Sequence, residues 1–150
     1  MNIQMRDSRL FGTRLRYLAV AATIWTAAAM HQPAFAQNVA VIVNGDPITT
    51  YDIDQRSRFI QLVSHKAPAR QEVLDELINE KLKIQVGKRY KLEVTDNDVD
   101  SAFAEMGKRM RLSPQQLTQV LAQGGVDAAT LKSRIRADLA WQQIVRGKFQ

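Results

Sequence analysis

The chain has 150 residues, 45% of them hydrophobic and 24% charged, with a formal net charge of +6 and no cysteine. Without cysteine there are no disulfides and none of the small stapled scaffolds, so the core must be held by packing alone. The first 36 residues carry four Arg against one acid, which leaves residues 37–150 with 17 basic and 14 acidic groups, net +3; that is an ordinary surface and poor support for nucleic-acid binding.

Residues 1–36 read as a targeting segment. Arg6, Arg9, Arg14 and Arg16 form a positive start, residues 18–30 an apolar stretch, and Ala34-Phe35-Ala36 a small-x-small cleavage site, so the mature chain is expected to begin at Gln37. The apolar stretch has 13 residues, short of the ~20 that a membrane-spanning helix needs, so no stable membrane insertion is expected. The expected domain organisation is therefore a signal peptide at 1–36 and one helical domain at 37–150.

The mature part opens on a β-run, Val39-Ala40-Val41-Ile42-Val43, broken by Asn44-Gly45, whose residue types suit the positive φ angles of a type I′ turn. Pro47-Ile48 then gives a second short extended piece, and Thr49 or Thr50 caps a helix with Asp52 and Asp54 in its first turn. The spacing predicts this first helix over 50–65, with Tyr51, Ile53, Phe59, Ile60, Leu62 and Val63 as its apolar members, before Ala67-Pro68-Ala69 breaks it. A second and central helix is expected over 70–90. Val73, Leu74, Leu77, Ile78, Leu82, Ile84 and Val86 spread beyond one stripe, and Glu72, Glu76, Glu80, Lys83 and Lys88 are read as its solvated face.

Residues 91–94 read as extended, and Thr95-Asp96-Asn97-Asp98 as a capping box before a third helix over 96–111. The acids Asp96, Asp98 and Asp100 do not make a calcium loop, because the sixth and twelfth positions counted from Asp96 hold Ser101 and Gly107 instead of Gly and Glu. No metal or other cofactor is expected. Ser113-Pro114-Gln115-Gln116 starts a fourth helix over 114–123, closed by Gly124-Gly125, and Asp127 caps a fifth over 128–148 with Leu131, Ile135, Leu139, Ile144 and Val145 inward. No internal repeat, linker or low-complexity segment is read after Gln37.

The order of these elements, with the wording Val43-Asn44-Gly45-Asp46-Pro47-Ile48-Thr49 and the helix Leu74-Asp75-Glu76-Leu77-Ile78-Asn79-Glu80-Lys81-Leu82, resembles the amino-terminal domain of SurA-type periplasmic chaperones over residues 39–148. The resemblance implies a mainly α fold, five helices with a short amino-terminal β-hairpin, in an exported protein that holds unfolded outer-membrane or other periplasmic polypeptides. It places no catalytic residue. Peptidyl-prolyl isomerase activity in that family belongs to a parvulin domain, and no parvulin motif is present, so the chain reads as a stand-alone module or as part of a longer isomerase-chaperone. His65, the single histidine after residue 36, stands near a helix end and is read as a capping residue rather than a catalyst.

Polypeptide binding needs adaptable apolar surface. Flexible Met and Leu side chains supply it, and Met106, Met110, Leu112, Leu117, Val120 and Leu121 are the candidate set, expected to line a groove between the third and fourth helices. A second reading competes: residues 117–135 have the look of a helix-turn-helix with Lys132, Arg134 and Arg136 on the following helix. Export argues against that reading, since an exported protein does not meet the chromosome.

Overall fold

The computed structural model describes residues 38–149, so the expected targeting segment lies outside the described residues. Within them the chain runs β1 (Val39–Val43), β2 (Asp46–Thr49), α1 (Thr50–Ser64), α2 (Arg70–Arg89), α3 (Asp96–Arg109), α4 (Pro114–Gln123) and α5 (Ala128–Phe149). This is the expected fold: a two-stranded antiparallel hairpin followed by five helices among the described residues. None of these helices is long and apolar enough to cross a membrane.

The hairpin is closed by Asn44 at φ 48° and Gly45 at φ 93°, the positive pair that a type I′ turn requires. Gln85 fastens it to α2, donating to the Val43 carbonyl and the Asp46 carboxylate, each at 2.8 Å, and accepting from the Asn44 amide at 2.9 Å. Val43 and Ile48 of the hairpin pack with Ile53 and Val73 in one apolar cluster. A second, larger cluster joins Phe59, Val99, Phe103, Leu117, Leu121, Val126, Leu131 and Ile135 from α1, α3, α4, α5 and the α4–α5 connection. Gln55, buried in α1, accepts from the Asp127 amide at 2.7 Å and so fixes that connection at the start of α5.

Glu80 corrects the reading of α2. It is not on a solvated face: it is 7% exposed and faces Arg56, which is 1% exposed. The Arg56 guanidinium grips both Glu80 oxygens, the Nη2 bond at 2.9 Å, lies 3.3 Å from Glu76 and 3.4 Å from the Thr130 carbonyl, and leaves Nε without a protein partner. This pair sits where α1, α2 and α5 meet, between Ile53 of one cluster and Phe59 of the other. A two-point Arg–carboxylate contact fixes register as well as charge.

Three of the helix ends are built alike. The sequence Gly87-Lys88-Arg89-Tyr90-Lys91-Leu92 ends α2, and Gly107-Lys108-Arg109-Met110-Arg111-Leu112 ends α3, a six-residue pattern used twice where no repeat was expected. In each, the residue after the cap is left-handed, Lys91 at φ 56° and Arg111 at φ 59°. The paired bonds of a Schellman cap follow: Leu92 to Gly87 and Lys91 to Lys88, both at 3.0 Å, and Leu112 to Gly107 and Arg111 to Lys108, both at 2.9 Å. The third copy of the geometry, at the end of α4, uses Gly125 at φ 70° and Val126. These caps end α2 at Arg89 and α3 at Arg109, one and two residues before the expected limits, and make Lys91 a turn residue rather than the start of an extended run. At α1 the left-handed residue is His65 itself, so the helix stops at Ser64.

Val145, expected to face inward, is exposed near the end of α5, and Val63, an apolar member of α1, is exposed near the end of that helix. Val63 stands one turn beyond the packed Phe59, and Val145 directly follows the packed Ile144, on the outer side of α5.

Candidate functional site

The six candidate residues surround the corner between α3 and α4. The Schellman cap sets that corner by tucking Leu112 against the large cluster, while Met110, the cap residue, is turned outward. Gly107 permits the close return of the chain, since a Cβ there would stand 2.9 Å from the Leu112 carbonyl oxygen. The chain then enters α4 through a capping box in which the Ser113 side chain accepts from the Gln116 amide at 3.2 Å and Gln116 accepts from the Ser113 amide at 2.8 Å.

Placed on this frame, the candidates divide by depth. Leu117 and Leu121 are each 3% exposed and belong to the core, so their side chains hold α4 down rather than face solvent. Met106 and Leu112 are half-buried against the same cluster. Met110 and Val120 are 49% and 42% exposed, large apolar side chains left on the surface above a packed interior. A groove that includes Met106 lies between α3 and α5. It is a cleft of about 290 Å³ with Ala102, Met106, Ile135 and Leu139 as its apolar lining and Glu105, Arg109, Asp138 and Gln142 as polar neighbours.

The charged residues flanking this region serve the domain itself. Lys132 binds Asp100 at 2.7 Å and lies over the Phe103 ring, Arg134 lies over the Phe59 ring, and Arg136 donates to the Val94 carbonyl at 2.8 Å and pairs with Asp96. These are the three cations that a helix-turn-helix reading would aim at DNA, and all three have partners within the domain. Asp98 closes the capping box of α3, where the Thr95 hydroxyl and backbone amide hold its carboxyl below the ordinary carboxylate range. The acids Asp96, Asp98 and Asp100 are thus an ion-pair partner, a cap and a second ion-pair partner.

Sequence reasoning missed two features. One is the Arg56–Glu80 pair, although both residues stand inside apolar stripes: Arg56 between Ile53 and Phe59, and Glu80 in the run Val73, Leu77, Glu80, Ile84 at helical spacing. The other is a cleft of about 360 Å³ between α2 and α5, lined by Leu82, Val86 and Trp141 with Asn79 and Lys83. It draws one wall from each of two distant segments, so no local pattern announces it.

A hairpin locked to a central helix, with four further helices around one core and large apolar groups left outside it, is the setting in which the comparisons with known proteins fall. A family profile described as the SurA N-terminal domain matches residues 36–145. The chain belongs to the SurA N-terminal domain family. Among curated relatives, Chaperone SurA of Pseudomonas savastanoi pv. phaseolicola is 32% identical over 111 residues, covering 69% of this chain and 26% of its own length. Chaperone SurA of Saccharophagus degradans is 27% identical over 117 residues, covering 73% of this chain and 27% of its own. This SurA-family chain thus spans only about a quarter of the length of the relatives it matches. A solved chain, from a study of the virulence factor PEB4 and the periplasmic protein Cj1289 as SurA-like chaperones of Campylobacter jejuni, is 27% identical with a TM-score of 0.42, over 73% of this chain and 41% of that one.

Proposed function

We propose that this domain is the polypeptide-holding part of a SurA-like chaperone that works in the periplasm on unfolded outer-membrane polypeptides. The observation that carries the reading is the apolar side chains that α3 and α4 leave outside the core, Met110 and Val120 half in solvent and Met106 and Leu112 half-buried against the cluster. Unbranched methionines re-pack around differing side chains, which is what a binder of many sequences needs. The periplasmic assignment is supported by the Arg-rich start, apolar stretch and Ala34-Phe35-Ala36 site of the first 36 residues. Any isomerase step belongs to a parvulin domain and is assigned to no residue here.

Such a surface holds its ligand weakly, because it gains area but must order the chain it binds. Affinity in the micromolar range is expected, about −8 kcal/mol at most, with little dependence on salt. The test is light scattering of an unfolded outer-membrane polypeptide diluted from denaturant, with and without the protein. Slower aggregation, equally at low and high salt, is the expected result; an unchanged aggregation rate at excess protein would contradict the proposal. Mass spectrometry of the product recovered after export tests the location: a mass beginning at Gln37 is expected, and one that retains residues 1–36 contradicts it.

A further inference from the structure

A different surface lies at the other flank of α5. The helices α2 and α5 run parallel, because their contacts advance together along both: Lys83 pairs with Asp138 at 3.1 Å, a Cβ on Gly87 would lie 3.3 Å from that of Ala140, and Lys148 sits 5.3 Å from the centre of the Tyr90 ring. Their carboxyl ends therefore come out on the same side. Residues 82–93 and 141–149 carry six cations, Lys83, Lys88, Arg89, Lys91, Arg146 and Lys148, against the single acid Glu93. That is +5, whereas residues 37–150 together are only +3, so the rest of the domain is net −2. Two parallel helix ends account for part of this, but each carboxyl terminus amounts to only about half a negative charge. Asp138 offsets Lys83, and the other five cations pair with no carboxylate among the described residues.

The same end holds exposed apolar and aromatic groups. Trp141 is 46% exposed, and Leu82, Tyr90 and Val145 are exposed with it. Trp141, Leu82 and Val86 line the cleft of about 360 Å³, and Lys83 stands at its side. A cleft of that volume takes one large side chain, and cations nearby would receive carboxylates flanking it. A cleft also favours a chain that inserts a side chain over a flat anionic surface.

We propose that this α2–α5 end is a docking surface for an acidic polypeptide segment, one that places a large apolar side chain in the Trp141 cleft and carboxylates on the surrounding Lys and Arg. Long-range attraction brings such a segment in and the cleft sets its register. This surface is separate from the α3–α4 corner and behaves differently, since its binding depends on salt.

The experiment is fluorescence anisotropy of the full chain with a labelled peptide carrying one Phe flanked by Asp and Glu, and with the same peptide carrying Asn and Gln in their place. The acidic peptide is expected to bind about tenfold or more tightly than the neutral one at low salt and to lose that advantage at ~0.5 M salt. Charge reversal by Lys88→Glu with Lys148→Glu should remove the advantage, whereas Lys66→Glu with Lys108→Glu, the same change of net charge elsewhere on the surface, should leave most of it. Trp141→Ala should weaken both peptides; should that variant not fold by circular dichroism, Trp141→Gln and the charge reversals carry the test. Equal binding of the two peptides overturns the proposal, as does equal loss in both charge-reversed variants. Two other occupants would also overturn it: vesicles of phosphatidylglycerol bound through Trp141 with no peptide binding, or a dimer in sedimentation that Trp141→Ala dissolves.

Discussion

The two Gly-Lys-Arg corners have the same sequence pattern and the same backbone, yet they make different surfaces. At the first, Gly87 lies under Ala140 of α5, and the outward residue, Tyr90, meets Lys148 in a basic and aromatic end. At the second, Gly107 lies under the Leu112 carbonyl, and the outward residue, Met110, is an exposed apolar side chain. Local sequence determines how each helix stops. What the stop presents is decided by the element packed against it, the end of α5 in one case and α4 in the other. A short motif in this domain therefore marks geometry, and the difference between the two surfaces lies in one cap residue and its neighbours.

The largest effect should come from removing what supports the comparison, the buried Arg56–Glu80 pair that joins α1, α2 and α5. Arg56→Ala leaves Glu80 charged and buried, at an expected cost of about 3 to 5 kcal/mol. Urea unfolding measures it. Arg56→Met with Glu80→Leu should recover most of the loss, because apolar groups of similar volume carry no desolvation cost; a double variant as unstable as the single one would show that the pair is needed for more than charge balance.

Alanine at the two glycines separates the corners next. At Gly107 the new Cβ meets a backbone oxygen at 2.9 Å, which cannot move alone, so Gly107→Ala should destabilise by about 1 to 3 kcal/mol. At Gly87 the nearest atom is a side-chain Cβ at 3.3 Å, and the crowding is offset by the ~1 kcal/mol that Ala gains over Gly in a helix. Gly87→Ala should be close to neutral in the same measurement. Equal effects at both positions would mean that the corners are packed alike.

The smallest difference is in pH dependence. Each corner is followed by a capping box, but Thr95 pairs with a titratable Asp98 and Ser113 with an uncharged Gln116. The Asp98 carboxyl is held below its ordinary value, so the stability it contributes is complete above the ordinary carboxylate range and is lost as pH falls through the lowered value. Amide exchange in the first turn of α3 should accelerate over that acid range while the first turn of α4 stays unchanged. Asp98→Asn should abolish the pH dependence, and its persistence in that variant would assign it to another group.

Much of the fold was legible because its signals are local. Asn44-Gly45 fixed the hairpin turn, Ser113-Pro114 and Thr95-Asp98 fixed helix starts, and all three take the expected geometry. Helix ends were less legible, since Lys91 and Arg111 occupy a left-handed position that glycine usually marks. Burial was the least legible. Glu80 is charged and was read as solvated, and only the presence of Arg56 from another helix makes its burial possible. Leu117 and Leu121 entered the candidate set for the same chemical reason that they form core, since apolarity does not say on which side of a helix a neighbour sits. The cleft at Trp141 was not legible either, because the α2 residues that face it are more than 50 positions away in sequence.

The central claim is that the apolar corner holds unfolded polypeptide while the leucines beneath it hold the fold. Its most direct test is the dissociation constant of an unfolded outer-membrane peptide for the parent, for Met110→Ser with Val120→Ser, and for Leu117→Ala, each beside its urea midpoint. The surface double variant is expected to keep its stability within about 1 kcal/mol and to lose at least tenfold in affinity. Leu117→Ala is expected to lose about 2 to 5 kcal/mol of stability. A double variant that stays folded and binds the peptide as tightly as the parent contradicts the account.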